Sequence, residues 1–516
     1  MTDLQTLEFA TLSELIAQHA HAQPAQPALA QGSQTLSYAE LNALMDRIAA
    51  SLQRDGLQAG DCIAICAASS VNYAAVFLGA LRAGVVVAPL APSSTPQSLQ
   101  SMLRDAQARL LFLDDSVRET VTPNAVPGLP CVTLDNHPGA TSLQDWLLPP
   151  DSQPLAVTVQ PDWPFNIIYS SGTTGEPKGI VQPHSMRWAH VKRGGAYNYN
   201  AQTVTLLSTP LYSNTTLVVF FPTLAYGGSV WLMPQFDALG YLQLAQAQRV
   251  THTMLVPVQY QRIMARPEFD TFDLSSFHMK FSTSAPFSAK LKADVLQRWP
   301  GGLTEFYGMT EGGGTCILQA HLHPEKLHTV GQPAEGHDIR LIDEQGQVVA
   351  AGEAGEVVGH SAGMMKGYHG QPGKTREAEW FDESGKRFIR TGDIGRFDED
   401  GFLILFDRKK DMIISGGFNI YPSDLEAVLR EHPAVLEAAV VGVASEQWGE
   451  TPVAFVVRRP GSEVSDPALM QWLNDRVGKT QRLSDLQALS ELPRSAIGKV
   501  LKRELRDSYR ASVDGR

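Results

Sequence analysis

The chain has 516 residues, more than one hydrophobic core commonly serves, so we expect two or more domains. Hydrophobic residues make up 43% of it, which is ordinary for a soluble globular protein. Its 42 basic and 54 acidic residues give a net charge of -12. That charge argues against a nucleic-acid-binding surface, but not against a nucleotide site, where local charge dominates.

The cysteines and the N-terminus together predict a cytoplasmic protein. The start, MTDLQTLEFATL, lacks a basic segment followed by an apolar one, so no secretory signal is predicted. The longest apolar region, Ala74–Pro92, is interrupted by Arg82 and Gly84. We interpret it as a helix that runs into a buried strand, not as a membrane span. The sparse cysteines form no CxxC pair, as expected in a reducing cytosol; they are Cys62, Cys66, Cys131 and Cys316.

The first half of the chain alternates helical and strand-like segments. Thr11–Gln23 has helical spacing, and Ser37 with Glu40 forms a capping-box pattern that predicts a second helix start. Short apolar runs at 63–65, 85–88 and 110–113 are separated by helical stretches. Because parallel strands need helical crossovers, this rhythm predicts a parallel sheet covered by helices. The same rhythm recurs at 203–233 and 253–282.

Residues 170–179, SSGTTGEPKG, form the most informative segment. Ser and Thr compete for backbone hydrogen bonds and Gly costs entropy, so a loop is predicted. Such a loop can turn successive N–H and hydroxyl groups towards one anion, and Lys178 adds a positive charge. It differs from the common P-loop, because Gly179 stands where Ser or Thr would follow the lysine. A flexible linker is the alternative, which the apolar runs on both sides disfavour.

The later chain changes character. Residues 334–405 alternate apolar and polar positions with turn residues, which predicts antiparallel strands. The charged cluster DRKKD at 407–411 lies between two strand-like runs, and a helix, two strands and a late helix are predicted after it. We therefore predict an α/β fold with two domains. Residues 1–407 would form a large multi-layer N-terminal domain with helix-covered sheets and a β-rich subdomain, and 408–516 a small, mobile α+β C-terminal lid.

The loop at 170–179 and several later segments resemble those of the adenylate-forming enzymes, the superfamily of acyl-CoA ligases, luciferases and peptide-synthetase adenylation domains. They occur in the family's order and span essentially the whole chain: YGMTE at 307–311, TGD at 391–393, DRKKDMIISGGFNIYPSDLE at 407–426 and LPRSAIGKVLKRELR at 492–506. The resemblance implies a carboxylate–CoA ligase that uses ATP, Mg²⁺ and coenzyme A. It would form an acyl-AMP intermediate and release AMP and pyrophosphate.

The resemblance also assigns roles at the nucleotide. Tyr307 would stack against adenine, Thr310 would donate to the α-phosphate, and Glu311 would be both catalytic and the Mg²⁺ ligand. Asp393 would accept both ribose hydroxyls, since a carboxylate has two oxygens, and Arg408 would be a second ribose contact. The expected ATP- and AMP-binding residues are Ser170, Ser171, Gly172, Thr173, Thr174, Gly175, Lys178, Ser284, Ala285, Pro286, Tyr307, Gly308, Met309, Asp393 and Arg408.

In the C-terminal domain, Lys499 matches the family's catalytic lysine. By itself a lysine this close to other basic residues would be a solvated helix face. The preceding Pro493-Arg494 and Gly498 favour the catalytic role. Lys410 falls at the family's hinge position, and rotation there would replace Lys499 by a tunnel for the thiol of coenzyme A. The expected tunnel residues are Gly416, Gly417, Phe418 and Trp448.

The acyl pocket is where this sequence departs from the family. Many members carry a histidine or aromatic gate where Ser213 stands, so a roomier, more polar pocket is predicted. Ser213 or Asn214 would then meet a ring hydroxyl, which favours an aromatic acid such as a hydroxycinnamate. Ser284 likewise replaces the glycine of a Gly-Ala-Pro-like turn. The expected pocket residues are Tyr212, Ser213, Asn214, Thr283, Gly308, Gly312, Gly313 and Gly331.

Several alternatives remain open. The glycines would equally make room for a medium- or long-chain fatty acid. The chain would alternatively be an adenylation enzyme that loads a carrier protein in place of free coenzyme A. No residue of the sequence distinguishes a luciferase-like oxidation from a ligase reaction. A nucleotide sensor without catalysis would be expected to lose Lys499 or Glu311, and both are present. We expect a small carboxylic acid as substrate, no nucleic-acid partner, and a monomer or homodimer.

Overall fold

The computed structural model describes residues 4–117, 121, 128–135, 141–170, 178–408, 411–415, 418–445, 448–495 and 498–514. The chain divides into two compact units. The first comprises Met1–Asp338 and Gly359–Ile389, and the second comprises Ile339–Val358 and Arg390–Arg516. The proposed hinge, Lys410, lies outside the described residues, so the domain boundary at 407/408 remains a prediction.

The α-helices of the described residues are α1 Leu12–Ala22, α2 Tyr38–Arg54, α3 Val71–Arg82, α4 Pro96–Asp105, α5 Leu143–Trp146, α6 His184–Arg193, α7 Asn214–Ala225, α8 Ala238–Ala247, α9 Pro257–Met264, α10 Ala289–Arg298, α11 Pro372–Glu377, α12 Pro422–Glu431, α13 Asp466–Asn474 and α14 Lys502–Asp514.

The strands of the first half are β1 Pro27–Gln31, β2 Gln34–Ser37, β3 Cys62–Cys66, β4 Val86–Leu90, β5 Ala108–Leu113, β6 Cys131–Thr133, β7 Thr141–Ser142, β8 Pro164–Ser170, β9 Lys178–Pro183, β10 Val204–Leu207, β11 Ser229–Leu232 and β12 His252–Leu255. Those of the second half are β13 Met279–Ser282, β14 Gly302–Met309, β15 Gly312–Gln319, β16 Gln332–Pro333, β17 Asp338–Ile342, β18 Gly355–His360, β19 Gly367–Tyr368, β20 Glu379–Phe381, β21 Arg387–Phe397, β22 Leu403–Arg408, β23 Ile413–Ser415, β24 Phe418–Ile420, β25 Val435–Ser445, β26 Gly449–Arg458 and β27 Asp485–Leu489.

The first unit contains an eight-stranded sheet in the order β19-β9-β8-β4-β3-β5-β6-β7. Its central strands β4, β3 and β5 are parallel, which confirms the prediction from the apolar runs. Cys62 and Cys66 lie buried in β3, and burial raises the pKa of each thiol to about 12. Both cysteines are therefore packing residues, since thiols with such pKa values stay protonated at neutral pH.

A second sheet of the first unit has nine strands in the order β16-β15-β14-β13-β12-β10-β11-β1-β2. Strands β10 to β14 are mutually parallel in the pairs β10–β11, β10–β12, β12–β13 and β13–β14. Their carboxyl ends consequently meet at one edge of the sheet. Ligands of open α/β sheets bind at that edge.

The capping box predicted at Ser37 is confirmed, and Thr11 forms a second one that was not predicted. Thr11 caps α1 with Glu14, and Ser37 caps α2 with Glu40, each through a reciprocal pair of side-chain and backbone hydrogen bonds. The apolar region 74–92 is a buried part of α3 followed by β4, as predicted. None of the helices in the described residues is long and apolar enough to cross a membrane.

The second unit is smaller and richer in antiparallel strands. Strands β17, β18, β21 and β22 share one sheet, and β21 pairs antiparallel with β22, as predicted for 334–405. A second sheet has the order β24-β23-β26-β25, with β27 paired to β26. Helices α12 and α13 bury Leu425, Leu429, Leu469 and Leu473 in its core. The predicted α/β fold with a smaller α+β part is confirmed.

A buried ion pair supports β14, the strand that carries Tyr307. Lys292 on α10 pairs with Glu305 on β14, and the two residues are 1% and 4% exposed. The Lys292 ammonium also donates to the carbonyls of Leu327 (2.9 Å) and Thr329 (3.0 Å). Burial raises the pKa of Glu305, and the lysine opposes that rise. The Lys292 ammonium therefore connects α10, β14 and the segment that contains Leu327 and Thr329.

We predict that Lys292→Met lowers the free energy of unfolding by about 3–5 kcal/mol, because it leaves a buried carboxylate without its partner. The double variant Lys292→Met/Glu305→Leu should recover much of that loss. Denaturant unfolding measures both values. The control is Asp270→Asn at the exposed Arg298–Asp270 pair (3.0 Å), where the cost should stay below about 1 kcal/mol. Equal losses in Lys292→Met and the control would contradict the prediction.

Candidate active site

The loop at 170–179 connects two antiparallel strands. Ser170 ends β8 opposite Lys178, which begins β9, so the intervening residues join the two strands of a hairpin. The predicted phosphate ligands Ser171, Gly172, Thr173, Thr174 and Gly175 lie outside the described residues. What the structure positions is the stem of this hairpin.

Lys178 and Glu311 meet around the ring of Tyr368. The Lys178 Nζ lies 5.0 Å from the ring centroid, and the Tyr368 hydroxyl donates to Glu311 Oε1 over 2.9 Å. Burial and the neighbouring Glu311 carboxylate raise the pKa of Tyr368, so its hydroxyl keeps the donated proton at neutral pH. The cation of the predicted phosphate hairpin and the predicted metal ligand are therefore in one site.

Backbone and amide hydrogen bonds fix this arrangement. Gln182 on β9 donates to the Thr310 carbonyl over 2.6 Å, and the Met365 N–H donates to the Glu311 carbonyl over 2.8 Å. Tyr368 belongs to β19, which pairs antiparallel with β9 opposite Ile180. The β14–β15 turn of one sheet is thus bound to the edge of the other.

The Glu311 carboxylate fits a hard cation. Its Oε1 accepts from Tyr368, and its Oε2 accepts no hydrogen bond from any residue the structure describes. The Lys178 ammonium likewise has no carboxylate or carbonyl partner in the described part of the chain. One free carboxylate oxygen beside one free ammonium suits Mg²⁺ with phosphate oxygens, because Mg²⁺ takes few protein ligands and keeps substrate and water oxygens.

The turn that holds the expected ATP-binding residues Ser284, Ala285 and Pro286 follows β13. Thr283, Ser284, Ala285 and Pro286 come directly after its carboxyl end, and the neighbouring β14 ends in Tyr307–Met309. Ser284 has φ +79°, a conformation that glycine favours and serine rarely adopts. Its hydroxyl lies 2.6 Å from that of Thr215 on α7, which offsets part of the strain. The serine therefore keeps the backbone shape of the turn it occupies.

Three of the predicted acyl-pocket residues, Tyr212, Ser213 and Asn214, lie at the start of α7 or directly before it. Tyr212 is half-buried, and burial raises its pKa to about 12. Ser213 caps α7 by accepting from the Thr215 N–H (3.3 Å), and Asn214 Oδ1 accepts from Arg187 (2.8 Å) and Gln182 (3.4 Å). These contacts give Ser213 and Asn214 structural roles beside any contact with an acid.

Two of the predicted glycines have a backbone reason for being glycine. Gly331 has φ +92°, and a Cβ there would lie 2.0 Å from the Ile317 carbonyl oxygen. Gly312, opposite Met309 in the β14–β15 turn, has φ +79°, and its Cβ would lie 2.2 Å from the Gly363 carbonyl oxygen. Close approach of the neighbouring backbone excludes side chains at both positions, whatever binds nearby.

The second unit holds the other predicted residues. Asp393 on β21 stands opposite Arg408 on β22 in the antiparallel register, so the two proposed ribose contacts are neighbours. Phe418 begins β24, and Trp448 is 51% exposed. The hinge residue Lys410 and the tunnel residues Gly416 and Gly417 lie outside the described residues.

Lys499 lies at the end of a tight turn in the second unit. The Ser495 N–H donates to the Lys499 carbonyl over 2.8 Å, and Gly498 has φ +75°. Arg494 closes the turn by donating to the Gly498 carbonyl (2.7 Å) and to Glu437 on β25 (2.7 Å). The turn that presents the lysine is therefore anchored to the sheet of its own unit.

Sequence reasoning missed Gln182, Arg187 and Tyr368. Gln182 lies in β9, two residues before His184. Only the fold reveals that its side chain donates a hydrogen bond to the Thr310 carbonyl. Tyr368 stands far along the chain from both of its partners and lies in no segment the resemblance used. Arg187 carried a usable signal, because it begins a row of basic residues at three-residue spacing in RWAHVKR.

Comparisons with known proteins match both units. The profile of the AMP-binding enzyme family matches residues 16–369, and that of the AMP-binding enzyme C-terminal domain matches 424–499. An indoleacetate–CoA ligase of Aromatoleum aromaticum is 32% identical over 96% of this chain and 97% of its own. A feruloyl-CoA synthase of Amycolatopsis is 33% identical over 94% and 96%.

Two further matches extend the range. A long-chain-fatty-acid–CoA ligase of Mycobacterium tuberculosis is 32% identical over 93% of this chain and 94% of its own. The solved structure of ATP-bound MatB from Rhodopseudomonas palustris superposes with a TM-score of 0.85 at 28% identity, covering 97% of this chain and 99% of that one.

We predict that Tyr368→Phe raises the KM for Mg²⁺–ATP about tenfold, since a hydrogen bond to a charged group is lost. Steady-state kinetics with varied ATP at saturating Mg²⁺ measures the effect. Tyr241→Phe is the control, because it removes a buried hydroxyl bonded to Thr253 (2.8 Å) away from this site. The same KM change in both variants would show a general loss of stability instead.

Proposed function

Because the chain belongs to the AMP-binding enzyme family and is an AMP-forming acyl-CoA ligase, we propose that it activates an aromatic carboxylic acid, with a hydroxycinnamate as the best candidate. ATP and coenzyme A are its co-substrates. The observation that carries the proposed site is the meeting of Lys178, Tyr368 and Glu311 beside the stem of the Gly/Ser/Thr hairpin.

The chemistry needs a good leaving group. The carboxylate oxygen of the acid attacks the α-phosphorus of ATP, the bond to the β-phosphate bridging oxygen breaks, and pyrophosphate leaves. Negative charge grows on the phosphoryl oxygens, so fixed donors and cations near them lower the barrier. We assign this stabilisation to Lys178, the Thr310 hydroxyl and Lys499. The thiol of coenzyme A then displaces AMP from the acyl carbon.

Mg²⁺ would be held by the free oxygen of Glu311, and it would neutralise phosphate charge when bound. Tyr368 keeps that carboxylate oriented through the hydrogen bond to its other oxygen. Gln182 fixes the Thr310 backbone, so the hydroxyl of the same residue has a defined starting position. The chain therefore holds the Glu311 carboxylate and the Thr310 backbone in place before any substrate binds.

For the second half-reaction we propose that residues 408–516 act as a lid that turns about Lys410. The turn would exchange Lys499 for a route lined by Gly416, Gly417, Phe418 and Trp448. The exposed indole of Trp448 supports this proposal, because an apolar ring at a surface suits contact with a pantetheine chain. The four unpaired cysteines support a cytosolic location.

Support for an aromatic acid comes from two sources. Two relatives are named for aromatic acids, indoleacetate and ferulate, at 32% and 33% identity. The polar start of α7 at Ser213 and Asn214 also suits an acid with a ring hydroxyl. A fatty acid remains the alternative, because a fatty-acid ligase is 32% identical. Transfer to a carrier protein in place of coenzyme A is the second alternative.

The test is an acid panel assayed with ATP and Mg²⁺, with and without coenzyme A. Hydroxycinnamates should release pyrophosphate, and coenzyme A should convert them to thioesters with AMP as the nucleotide product. Hexanoate and palmitate should react more slowly. Preference for the fatty acids would overturn the aromatic assignment, and thioester formation with ADP and phosphate would overturn the acyl-AMP route.

We predict that Lys499→Ala slows acyl-AMP formation by about a hundredfold or more, because a cation near the attacked phosphorus is lost. Thioester formation from supplied acyl-AMP and coenzyme A should be largely unchanged. The control is Arg503→Ala, an exposed position on α14 that should affect neither half-reaction. An equal loss in both half-reactions would assign Lys499 to stability or to coenzyme A binding.

A further inference from the structure

One face of α6 carries a row of basic side chains. Arg187, His190 and Arg193 follow at three-residue spacing, so they lie along the same side of the helix. Arg187 is 1% exposed and is fully engaged: its guanidinium donates to Asn166 (3.1 and 3.2 Å), to Asn214 (2.8 Å) and to Gln182. All of these acceptors are neutral amide oxygens.

Arg193 differs from Arg187 because it lacks such acceptors. Its guanidinium carbon lies 5.9 Å from the ring centroid of Phe306, and it forms no hydrogen bond or ion pair with any described residue. Burial lowers its pKa. Arginine side chains nevertheless stay charged in proteins. A half-buried guanidinium whose N–H groups meet no acceptor among the described residues is available to bind an acceptor from outside the chain.

Two imidazoles complete the group. His190 Nδ1 is buried without a hydrogen-bond partner. His337 Nδ1 accepts from the Thr315 N–H over 2.9 Å, so the proton of the neutral ring is on Nε2, which meets no acceptor in the described part of the chain. Burial, with Arg187 and Arg193 adding to it, lowers the pKa of His190, and burial with Arg193 and His360 lowers that of His337 to about 4.

At neutral pH this group therefore consists of two charged guanidiniums and two neutral imidazoles. None of the described acidic side chains forms an ion pair with Arg187, His190, Arg193 or His337. A buried positive charge without an anion is costly, and unpaired donors add to the cost. Both costs fall when an oxygen acceptor binds to the donors of this group.

The group lies beside the residues proposed for the acyl pocket. At one end of the row Arg187 donates to Asn214 (2.8 Å). At the other end Arg193 covers Phe306, which directly precedes Tyr307. His337 is bonded to Thr315, whose hydroxyl would lie 3.4 Å from a Cβ at Gly308.

A purely structural role does not account for Arg193. Basic residues in the last turn of a helix stabilise its free carbonyls. The neighbouring Lys192 does have a backbone acceptor, because its ammonium donates to the Leu7 carbonyl over 3.3 Å. Arg193 donates to none of the described carbonyls and points instead over an aromatic face.

We propose that Arg193, with His190 and His337, binds an oxygen acceptor on the acyl group, at the end remote from the reacting carboxylate. The inference rests on the proposed ligase function and narrows its substrate class to acids with a second carboxylate or a phenol or carbonyl oxygen at that end. A guanidinium recognises such oxygens through paired N–H donors.

The test uses acids that differ only at the remote end: para-carboxycinnamate, para-hydroxycinnamate and para-methylcinnamate, with adipate and hexanoate as an aliphatic pair. Pyrophosphate release gives kcat/KM for each. The wild type should favour the oxygen-bearing acids. Arg193→Met should lower kcat/KM for those acids about 10- to 100-fold and leave the methyl acid within about twofold. A larger loss for the dicarboxylates identifies a second carboxylate, and a larger loss for the phenol identifies a hydroxyl.

The matched control is Lys192→Met, which removes a neighbouring cation without touching the row and should leave all preferences unchanged. Arg193→Gln serves as a second variant, because it keeps a planar donor if methionine impairs folding. Equal loss for all acids, or a wild-type preference for the methyl acid, overturns the inference but not the ligase. Absence of pyrophosphate release with any acid overturns both.

Discussion

The hydrogen bond from Tyr368 to Glu311 and the contact of the same ring with Lys178 join parts of the chain that are far apart in sequence. Lys178 begins a strand of the eight-stranded sheet, whereas Glu311 follows a strand of the nine-stranded sheet. Gln182 and Met365 add hydrogen bonds across the same boundary. Without these bonds the proposed phosphate hairpin and the proposed metal ligand would belong to separate surfaces. The proposed nucleotide chemistry depends on their being one surface.

Buried polar groups organise the region behind that surface. Arg187 binds both Asn214 and Gln182, and Gln182 in turn binds the Thr310 carbonyl. The start of α7 and the backbone of the proposed α-phosphate donor are therefore connected through one guanidinium. Such a network is stable only while each member keeps its partners, so it defines the local geometry closely. Arg193 lies on the same helix face and meets no acceptor among the described residues, and it is the part that we propose for a ligand.

Local sequence patterns predicted much of this fold, and long-range contacts account for what they missed. The capping box at Ser37 and the alternation of apolar runs depend on residues close in sequence, so they could be predicted. The contact between Tyr368 and Glu311 depends on the pairing of β19 with β9, which no local pattern encodes. The sequence predicts a glycine-type turn in which Ser284 replaces the glycine. In the structure Ser284 has the positive φ of such a turn, and its hydroxyl is hydrogen-bonded to that of Thr215.

The central claim is that the acid becomes activated by bonding to the α-phosphate. It is tested most directly with an acid carrying heavy oxygen in its carboxylate, followed by mass analysis of the nucleotide product after thioester formation. The account predicts one heavy oxygen in AMP, because the attacking carboxylate oxygen stays on the α-phosphorus when coenzyme A displaces it. Unlabelled AMP, or the label in inorganic phosphate beside ADP, would contradict it.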